Sequence, residues 1–376
     1  MNNIYLDHAS TTKLDSRVLD KMAPYLTEIY GNANSVHTLG RNAIKGLDEA
    51  REIVASLINA NFNEVYFTSG GTEGDNWALR GFYNQRGNKN KIVLSSIEHL
   101  AMLKTCEHLE TKGVEVCKIS PQKNGIVNAV DYKNQIDDNT FLASLMLANN
   151  EIGSIQPVKQ VAEYSHEKGV CFFTDAVQAI GAIKVDVKDL NVDMLSFSAH
   201  KFNGPKGVGG VYIKNGTKID GEILGGHQER EKRGGTSNVA GAIGLAYALK
   251  YSRETLEKDA LYVTNLRNYF IEKVLKINDK IFLNGDRESR LPNNANILFS
   301  GISGESLLYK LDMQGVYASL GAACSAGSIN PSHVLTEIGL NELDAKSSLR
   351  FTFGRENTFE EIDKVIEIIK NILKDL

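Results

Sequence analysis

The alternation of two kinds of segment between residues 41 and 213 constrains the fold most strongly. Short β-rich apolar runs predict strands, and stretches with apolar residues at helical spacing separate them. The predicted strands cover residues 65–68, 92–95, 114–119, 141–148, 170–174, 194–198 and 208–213. The predicted helices cover residues 42–58, 72–84, 100–111 and 158–167. This order predicts an α/β fold with a mostly parallel central sheet flanked by helices.

The pattern changes after residue 235, where a long helical stretch leads into a less regular mixture of strands and helices. The chain has 376 residues, which exceeds one typical domain of roughly 150 residues. We therefore expect a large α/β domain of residues 14–256 and a small α+β domain of residues 1–13 and 257–376. Within the small domain, residues 318–331 are rich in small side chains and predict a mobile loop.

Charge and composition argue against several classes of protein. The 46 acidic and 42 basic side chains give a net charge of −4 without a polybasic block, so we expect no nucleic-acid partner. No signal peptide is apparent and no apolar run approaches the roughly 18 residues that span a bilayer, so we expect no membrane association. The 4 cysteines form no CxxC pair and fit a reducing cytoplasm. We expect no metal site.

The residues that follow each predicted strand are the first candidates for function, because sheets of this class bind ligands at the carboxyl ends of their strands. Gly70, Gly71 and Thr72 precede a helix, where backbone N–H groups can bind a phosphate. An ordinary tight turn capped by Thr72 explains the same residues. His99 and Asn150 follow two other strands, and each alone also fits a structural role.

Asp175 and Lys201 give a more specific signal. Asp175 ends an apolar strand, where a carboxylate needs a cationic or hydrogen-bonding partner. Lys201 follows another strand together with Ser198 and His200, and a partly desolvated lysine has the lowered pKa that Schiff-base formation needs. A solvated turn lysine and a capping aspartate are the structural alternative. Pyridoxal phosphate would use the whole set, because it needs a lysine, a carboxylate at its ring nitrogen, a phosphate cradle and a stacked ring such as that of His99.

A series of short motifs then identifies a family resemblance that covers essentially the full chain. The motifs are IYLDHASTT, GNANSVH, FTSGGTEGDN, SSIEH, ANNEIG, TDAVQAIG, SAHKFNGPKGVGG, GGHQEREKRGGTSN and GAACSAGSINPSHVL. In this wording and order they resemble the cysteine desulfurases, which belong to the class V aminotransferase branch of the pyridoxal phosphate enzymes of fold type I. The resemblance implies a homodimer that converts L-cysteine to L-alanine and leaves the sulfur on an enzyme cysteine as a persulfide. A sulfur-acceptor protein of iron–sulfur cluster assembly, tRNA thiolation or cofactor synthesis would then take the sulfur.

The resemblance also implies roles for individual residues. Lys201 would hold the cofactor, Asp175 would pair with its ring nitrogen, Gln178 would bind its ring hydroxyl and His99 would stack on the ring. The phosphate would be bound by Thr72 of the glycine turn with Gly71, by Ser198 and His200, and by Thr236 of the partner subunit. Asn150 would contact both cofactor and substrate, and Arg350 would bind the substrate carboxylate. Lys201, His99 and Cys324 would be the catalytic residues.

Cys324 is also the cysteine that the local sequence favours as a sulfur acceptor, because it lies among Gly, Ala and Ser residues. Cys106, Cys117 and Cys171 fall in predicted helices and strands and fit structural roles. A selenocysteine or cystine lyase of the same family is the main alternative, and a binding or scaffold protein that lost its chemistry is another. Two positions depart from the family's usual wording. They are Leu320, where a small residue is commoner, and Glu231, where glycine is commoner.

Overall fold

The computed structural model describes residues 3–320 and 331–374. The strands are β1 Ile4–Tyr5, β2 Val65–Thr68, β3 Lys91–Ser95, β4 Glu115–Ile119, β5 Thr140–Ser144, β6 Cys171–Asp175, β7 Met194–Ser198, β8 Gly209–Ile213, β9 Ile281–Asn284, β10 Asn294–Phe299, β11 Val316–Tyr317, β12 Ser319–Leu320 and β13 Ser348–Thr352. The helices are α1 Ser16–Thr27, α2 Thr38–Leu57, α3 Gly71–Gln85, α4 Leu100–Glu110, α5 Ala129–Gln135, α6 Val158–Glu167, α7 Val187–Leu190, α8 Val239–Leu275, α9 Gly304–Met313, α10 His333–Glu337, α11 Glu342–Lys346 and α12 Phe359–Lys374.

A large sheet forms the centre of the fold. Its strand order across the described residues is β2-β8-β7-β6-β5-β3-β4. The strands from β7 to β4 in that order are paired in parallel, whereas β8 runs antiparallel to both β7 and β2. Side chains of α2, α6 and the first half of α8 cover one face, and those of α3 and α4 cover the other. The predicted α/β fold, with a mostly parallel sheet flanked by helices, is confirmed.

One predicted strand is longer than the observed one. The apolar run of residues 141–148 pairs as a strand only as far as Ser144, the end of β5. Beyond this point the backbone N–H of Met146 donates to the carboxylate of Glu98 at 2.8 Å. The N–H groups of Leu145 and Leu147 still donate to carbonyls of β6, at 3.3 and 2.8 Å, and their side chains pack in the core. The side chain of Met146 instead lines a cavity at the carboxyl end of the sheet.

A second, antiparallel sheet has the order β12-β13-β10-β9, and β1 pairs in parallel with β11 beside it. A separate hydrophobic cluster packs this sheet against α9, α12 and the second half of α8, and Leu320 at the end of β12 packs against the same cluster. Helix α8 is continuous over 37 residues and contributes side chains to the cores of both sheets. The boundary predicted between residues 256 and 257 falls inside α8, and the division into two domains stays a prediction. Even with α8 included, none of the described helices has the length and apolar character needed to cross a membrane.

Strand β2 lies at the edge of the large sheet, and side chains bind its outward backbone groups. The carboxylate of Glu229 accepts the N–H of Phe67 at 3.0 Å, and Arg51 and Arg230 donate to the carbonyl of Val65 at 2.6 and 2.7 Å. Arg51 and Glu229 also form two parallel N–O contacts of 2.8 Å, with side chains only 4% and 5% exposed. A buried, bidentate ion pair thus fastens the segment that contains Glu229 to the edge of the sheet.

Glu231 lies two residues further along the same segment. Residues 229–231 all have left-handed backbone conformations, with φ of 45°, 55° and 66°. At glutamate such a conformation costs about 1 kcal/mol more than at glycine, which explains why glycine is favoured there. The Glu231 side chain is exposed and pairs with His227 at 2.7 Å. The two nearby arginines bind other groups, because Arg230 donates to β2 and Arg233 pairs with Glu73.

Candidate active site

The carboxyl ends of the parallel strands meet β13 of the second sheet at a cavity of about 680 Å³. The cavity brings together most of the predicted site residues, because the sheet places the ends of its parallel strands along one edge. Those that line it are Gly71, Thr72, His99, Asn150, Asp175, Gln178, Ser198, His200, Lys201 and Arg350. Ala9, Ser10, Asp75 and residues 331–333 complete much of the wall.

Two predicted site residues are not among the described residues of this cavity. Thr236 is exposed, in the loop before α8, and is not among the residues that line this cavity. Its predicted role in the site of a partner subunit stays a prediction. Cys324 lies outside the residues that the structure describes. The other three cysteines lie in α4, β4 and β6, as expected for structural thiols.

The three described cysteines do not readily form thiolates. Burial raises the pKa of Cys106 to about 12 and that of Cys171 to about 11, and it also raises the pKa of Cys117. Because the thiolate is the nucleophilic form of cysteine, these thiols are inert near neutral pH. Their positions and pKa shifts agree with the structural roles expected for them.

Two buried carboxyl groups form the floor of the cavity. Asp175 is the last residue of β6, and its Oδ1 accepts the N–H of Val177 at 2.8 Å. Asp75 lies on α3, one turn beyond Thr72, and accepts the Ser196 hydroxyl at 2.6 Å. Burial raises the pKa of both groups. At Asp175 this rise is opposed by His99, by the N–H of Val177 and by Lys201. At Asp75 the negative charge of Asp175 raises the pKa further. Of the two groups, Asp75 therefore holds its proton more tightly than Asp175 does.

A third carboxyl group, that of Glu98, is buried behind the cavity beside His99. Its Oε1 accepts the Ser95 hydroxyl and the Met146 N–H, both at 2.8 Å, and its Oε2 is buried without a hydrogen-bond partner among the described residues. Burial raises the pKa of Glu98 to about 8. At neutral pH the side chain is therefore mostly uncharged, and it works as an acceptor that fixes the turn after β5.

The Glu98→Gln variant is expected to resist alkaline destabilisation. Because the folded protein binds this proton more tightly than the unfolded chain, wild-type stability falls as the pH rises from the ordinary glutamate range to about 8. Glutamine keeps the hydrogen-bond acceptor but does not titrate. The free energy of unfolding of the variant, relative to that of the wild type, should therefore increase over this pH range by on the order of 3 kcal/mol. Urea unfolding between pH 5 and 9 measures this. Glu110→Gln, at an exposed position of α4, is the control and should give no such trend; a similar trend there would contradict the assignment to Glu98.

Lys201 ends a short 3₁₀ helix that follows β7. Its Nζ donates to the carbonyl of Ala9 at 2.6 Å and to that of Ser10 at 2.9 Å. The side-chain amide of Gln178 donates to the same Ala9 carbonyl at 3.0 Å. The N-terminal segment therefore forms one wall of the cavity and holds the lysine amine next to Gln178.

The start of α3 has the properties of an anion cradle. A Cβ added at Gly71 would lie 2.5 Å from Cγ2 of Val177, so only glycine lets the helix start approach this closely. The first backbone N–H groups of a helix have no partners within it, and they point toward ligands at its N-terminus. Burial, together with Lys201 and Lys206, lowers the pKa of His200 to about 4, so the ring is a neutral donor among positive charges. Ser198, only 4% exposed, lies on the other side of the cradle.

His99 is the N-cap residue of α4. Its Nδ1 accepts the N–H of Ala101 at 3.2 Å, so the neutral ring carries its proton on Nε2. This cap fixes the ring at the cavity wall, between the end of β3 and the first turn of α4. The ring is therefore both positioned by the backbone and available for contact with a planar ligand.

Arg350 on β13 is 2% exposed. Its Nη1 donates to the carbonyl of Asn150 at 2.8 Å, and its Nη2 contacts Oδ1 of Asp7 at 3.0 Å and Oγ of Ser10 at 2.7 Å. The guanidinium thus connects the second sheet, the loop that follows β5 and the N-terminal segment at one point of the cavity. Together these residues offer an amine, a buried carboxylate, an anion cradle and a guanidinium in one enclosed space.

The sequence analysis missed three residues of this site, Asp7, Ser10 and Asp75. A signal existed for Asp75, because a residue three positions after Thr72 lies on the same face of a helix. Asp7 and Ser10 belong to the motif IYLDHASTT, which was recognised without assigning a role to either residue. Only the folded chain shows that they contact Arg350.

Comparisons with known proteins agree with this geometry. The family model of the class-V aminotransferases matches residues 4–365. The chain is 46% identical over 374 residues to the cysteine desulfurase IscS of Clostridium botulinum (strain Hall), a match that covers 99% of this chain and 94% of that protein. A solved NifS-like protein superposes with a TM-score of 0.94 at 36% identity, with 100% of both chains covered. The structure titled SspA in complex with cysteine superposes with a TM-score of 0.83 at 31% identity, covering 94% of this chain and 100% of that one.

Proposed function

The chain belongs to the class-V aminotransferase family, and on that premise we propose that it is a cysteine desulfurase, which converts L-cysteine to L-alanine and passes the sulfur on as an enzyme persulfide. A relative of that name with 46% identity supports the activity. A neighbour solved with cysteine supports the substrate. The observation that carries the proposal is the convergence of Lys201, Asp175 and Arg350 on one cavity.

Pyridoxal phosphate is the cofactor of this family, and the residues present fit it. Asp175 is a carboxylate that burial would penalise unless a cation such as a protonated ring nitrogen approached it. Gly71 opens the start of α3 to a phosphate, and the neutral His200 lines the same hollow together with Lys206. Lys201 would attach the cofactor through Nζ. The remaining proposed contacts are Thr72, Ser198 and His200 to the phosphate with Thr236 of the partner subunit, Gln178 and Asn150 to the ring substituents, and His99 on the ring face.

When bound, the cofactor accepts the electron pair left on the substrate as bonds to its carbon atoms break. In this proposal Nζ of Lys201 removes the proton from the substrate α-carbon, and Arg350 with Asn150 holds the substrate carboxylate. The Cys324 thiolate attacks the substrate sulfur, so that an S–S bond forms as the substrate's carbon–sulfur bond breaks. The nearby Nζ and the His99 ring are the groups that can return a proton to the alanine product.

A homodimer, a sulfur-acceptor protein and a cytoplasmic location complete the proposal. Thr236 is exposed and is not among the residues that line the cavity, which fits the proposal that it serves the cradle of another copy of the chain. Cys106, Cys117 and Cys171 are free thiols, which fits a reducing compartment. Iron–sulfur cluster assembly, tRNA thiolation and cofactor synthesis are the acceptor pathways that this activity can supply. We also propose that residues 14–256 hold the cofactor, while residues 1–13 and 257–376 contribute Arg350 and Cys324.

Incubation of the purified protein with L-cysteine and a thiol reductant tests the proposal. Alanine and sulfide are expected in equal amounts, with a persulfide on Cys324 before the reductant acts. Cys324→Ala should lose at least roughly 100-fold in sulfide formation, because no other described cysteine forms a thiolate readily. Cys117→Ala removes a partly exposed thiol and should keep the activity. Release of pyruvate and ammonia would instead favour an eliminating lyase such as a cystine lyase. Full activity of Cys324→Ala would favour a lyase, such as a selenocysteine lyase, that needs no acceptor thiol.

A further inference from the structure

The guanidinium of Arg350 is already occupied before any substrate arrives. Arginine has five N–H donors, of which two are on Nη2. Both of these are used, one by Oδ1 of Asp7 at 3.0 Å and the other by Oγ of Ser10 at 2.7 Å. One donor of Nη1 goes to the Asn150 carbonyl, and Nε is buried with no partner among the described residues. An incoming group can therefore reach at most one unused N–H, on Nη1.

A carboxylate binds arginine best through two parallel N–H groups. A carboxylate that approaches the end of the Arg350 guanidinium would bind one N–H of Nη1 and one N–H of Nη2. An approach from the side would use Nε, which is buried. A substrate carboxylate can therefore obtain a bidentate contact only if Asp7 or Ser10 gives up its hydrogen bond to Nη2.

Asp7 is fixed in place for this contact. Its backbone forms a bridge with Thr352, two residues beyond Arg350 on β13, and its Oδ1 also accepts the Ser10 hydroxyl at 2.9 Å. The Asp7 side chain is 19% exposed, whereas that of Arg350 is 2% exposed. A cation as buried as Arg350 needs a nearby anion, and Asp7 supplies it in the absence of ligand.

From these contacts we propose that Asp7 and Ser10 are resident ligands of Arg350 that the substrate carboxylate displaces, so that Asp7 sets the affinity of the site for α-carboxylates. The inference rests on the proposed function only in taking Arg350 as the group that binds the substrate carboxylate. Asp7 is a positioning residue here, because it acts on substrate through Arg350. Its charge keeps the buried guanidinium in place and at the same time weakens the attraction of Arg350 for a second anion.

Calorimetric titration of the holoenzyme with L-alanine and with propionate tests this competition. Asp7→Asn keeps an acceptor of the same shape and removes the charge, so both ligands should bind about ten-fold more tightly. Ser10→Ala removes one acceptor without changing the charge and should tighten binding by roughly three-fold. Alaninamide, which has no carboxylate, should show neither gain. In turnover, the KM for L-cysteine should fall in Asp7→Asn without a rise in kcat.

Asp15→Asn is the matched control, since Asp15 is another N-terminal aspartate paired with an arginine, Arg355, at 2.7 Å outside the cavity. It should leave the affinity for both carboxylates unchanged. Unchanged or weaker binding by Asp7→Asn would overturn the inference. If Asp7→Asn does not fold, weaker or unchanged binding of both carboxylates by Ser10→Ala would overturn the inference. A wild-type protein that binds propionate but forms no alanine from L-cysteine would contradict the proposed function instead.

Discussion

Replacing Lys201 by alanine is expected to lower alanine formation from L-cysteine by at least about 10⁴-fold. Lys201 is proposed both to attach the cofactor and to move the α-proton, and the loss of a residue with two such roles is not compensated by its neighbours. The Nζ hydrogen bonds to Ala9 and Ser10 are lost as well, but the carbonyls lie at a cavity wall that water can reach. The protein should therefore stay folded. Assays of alanine formation measure the loss of activity, and urea unfolding measures any loss of stability.

Lys201→Arg separates charge from chemistry. Arginine can still donate to the two carbonyls, but it does not form a Schiff base, so its activity should be as low as that of the alanine variant. Lys184→Ala, at an exposed position away from the cavity, is the matched control and should keep normal turnover. Activity of Lys201→Arg within roughly ten-fold of the wild type would contradict the covalent role and leave only a charge requirement.

Replacing Arg51 by methionine is expected to lower the free energy of unfolding by about 3 to 5 kcal/mol. The change leaves the Glu229 carboxylate buried at the edge of the sheet, where the N–H of Phe67 is its one remaining hydrogen-bond donor among the described residues. Arg51 also stacks on the Phe67 ring, with 4.9 Å between its guanidinium carbon and the ring centroid. Methionine keeps much of this apolar packing, so the loss should come mainly from the unpaired charge. Urea unfolding at neutral pH measures it.

Two further variants identify the cause. Arg80→Met breaks an ion pair with Glu222 in the same region, but the Arg80 side chain is 52% exposed, so the cost should be below about 1 kcal/mol. Replacing both Arg51 and Glu229 by methionine removes the pair together and should recover most of the stability, because no charge is left buried alone. If Arg51→Met costs no more than Arg80→Met, the pair does not stabilise the edge of the sheet.

The sequence predicts best those site residues that follow strands. Lys201, Asp175 and His99 come directly after apolar runs, and in a parallel sheet any such residues must meet at one edge. Their convergence follows from topology alone and needs no knowledge of distant contacts. The same rule does not apply to Arg350, which lies on an antiparallel strand and was assigned from the family resemblance.

Other parts of the site depend on contacts that no local pattern encodes. Asp7 and Arg350 are 343 residues apart, and neither lies in a periodic segment that points to the other. Glu98 appears in the sequence as one more polar residue before a helix, but in the fold it is buried and accepts the N–H of Met146, 48 residues further along the chain. Glu229 and Arg230 have left-handed backbones that their residue types disfavour, and their contacts with β2 outweigh that preference.

The contacts of the N-terminal segment have a consequence for the order of folding. Ala9 donates to the side chain of Thr352 across 343 residues, and closing a loop of that length costs roughly 5 kcal/mol in chain entropy. The N-terminal segment, which contacts Lys201 and Arg350, leaves the ribosome well before β13, the strand that contains Arg350 and Thr352. The large sheet can form earlier, since its strands end by Ile213. A nascent or truncated chain that lacks β13 would therefore contain Lys201 and Asp175 without a completed site, and synthesis of the C-terminal strands becomes the step that switches the enzyme on.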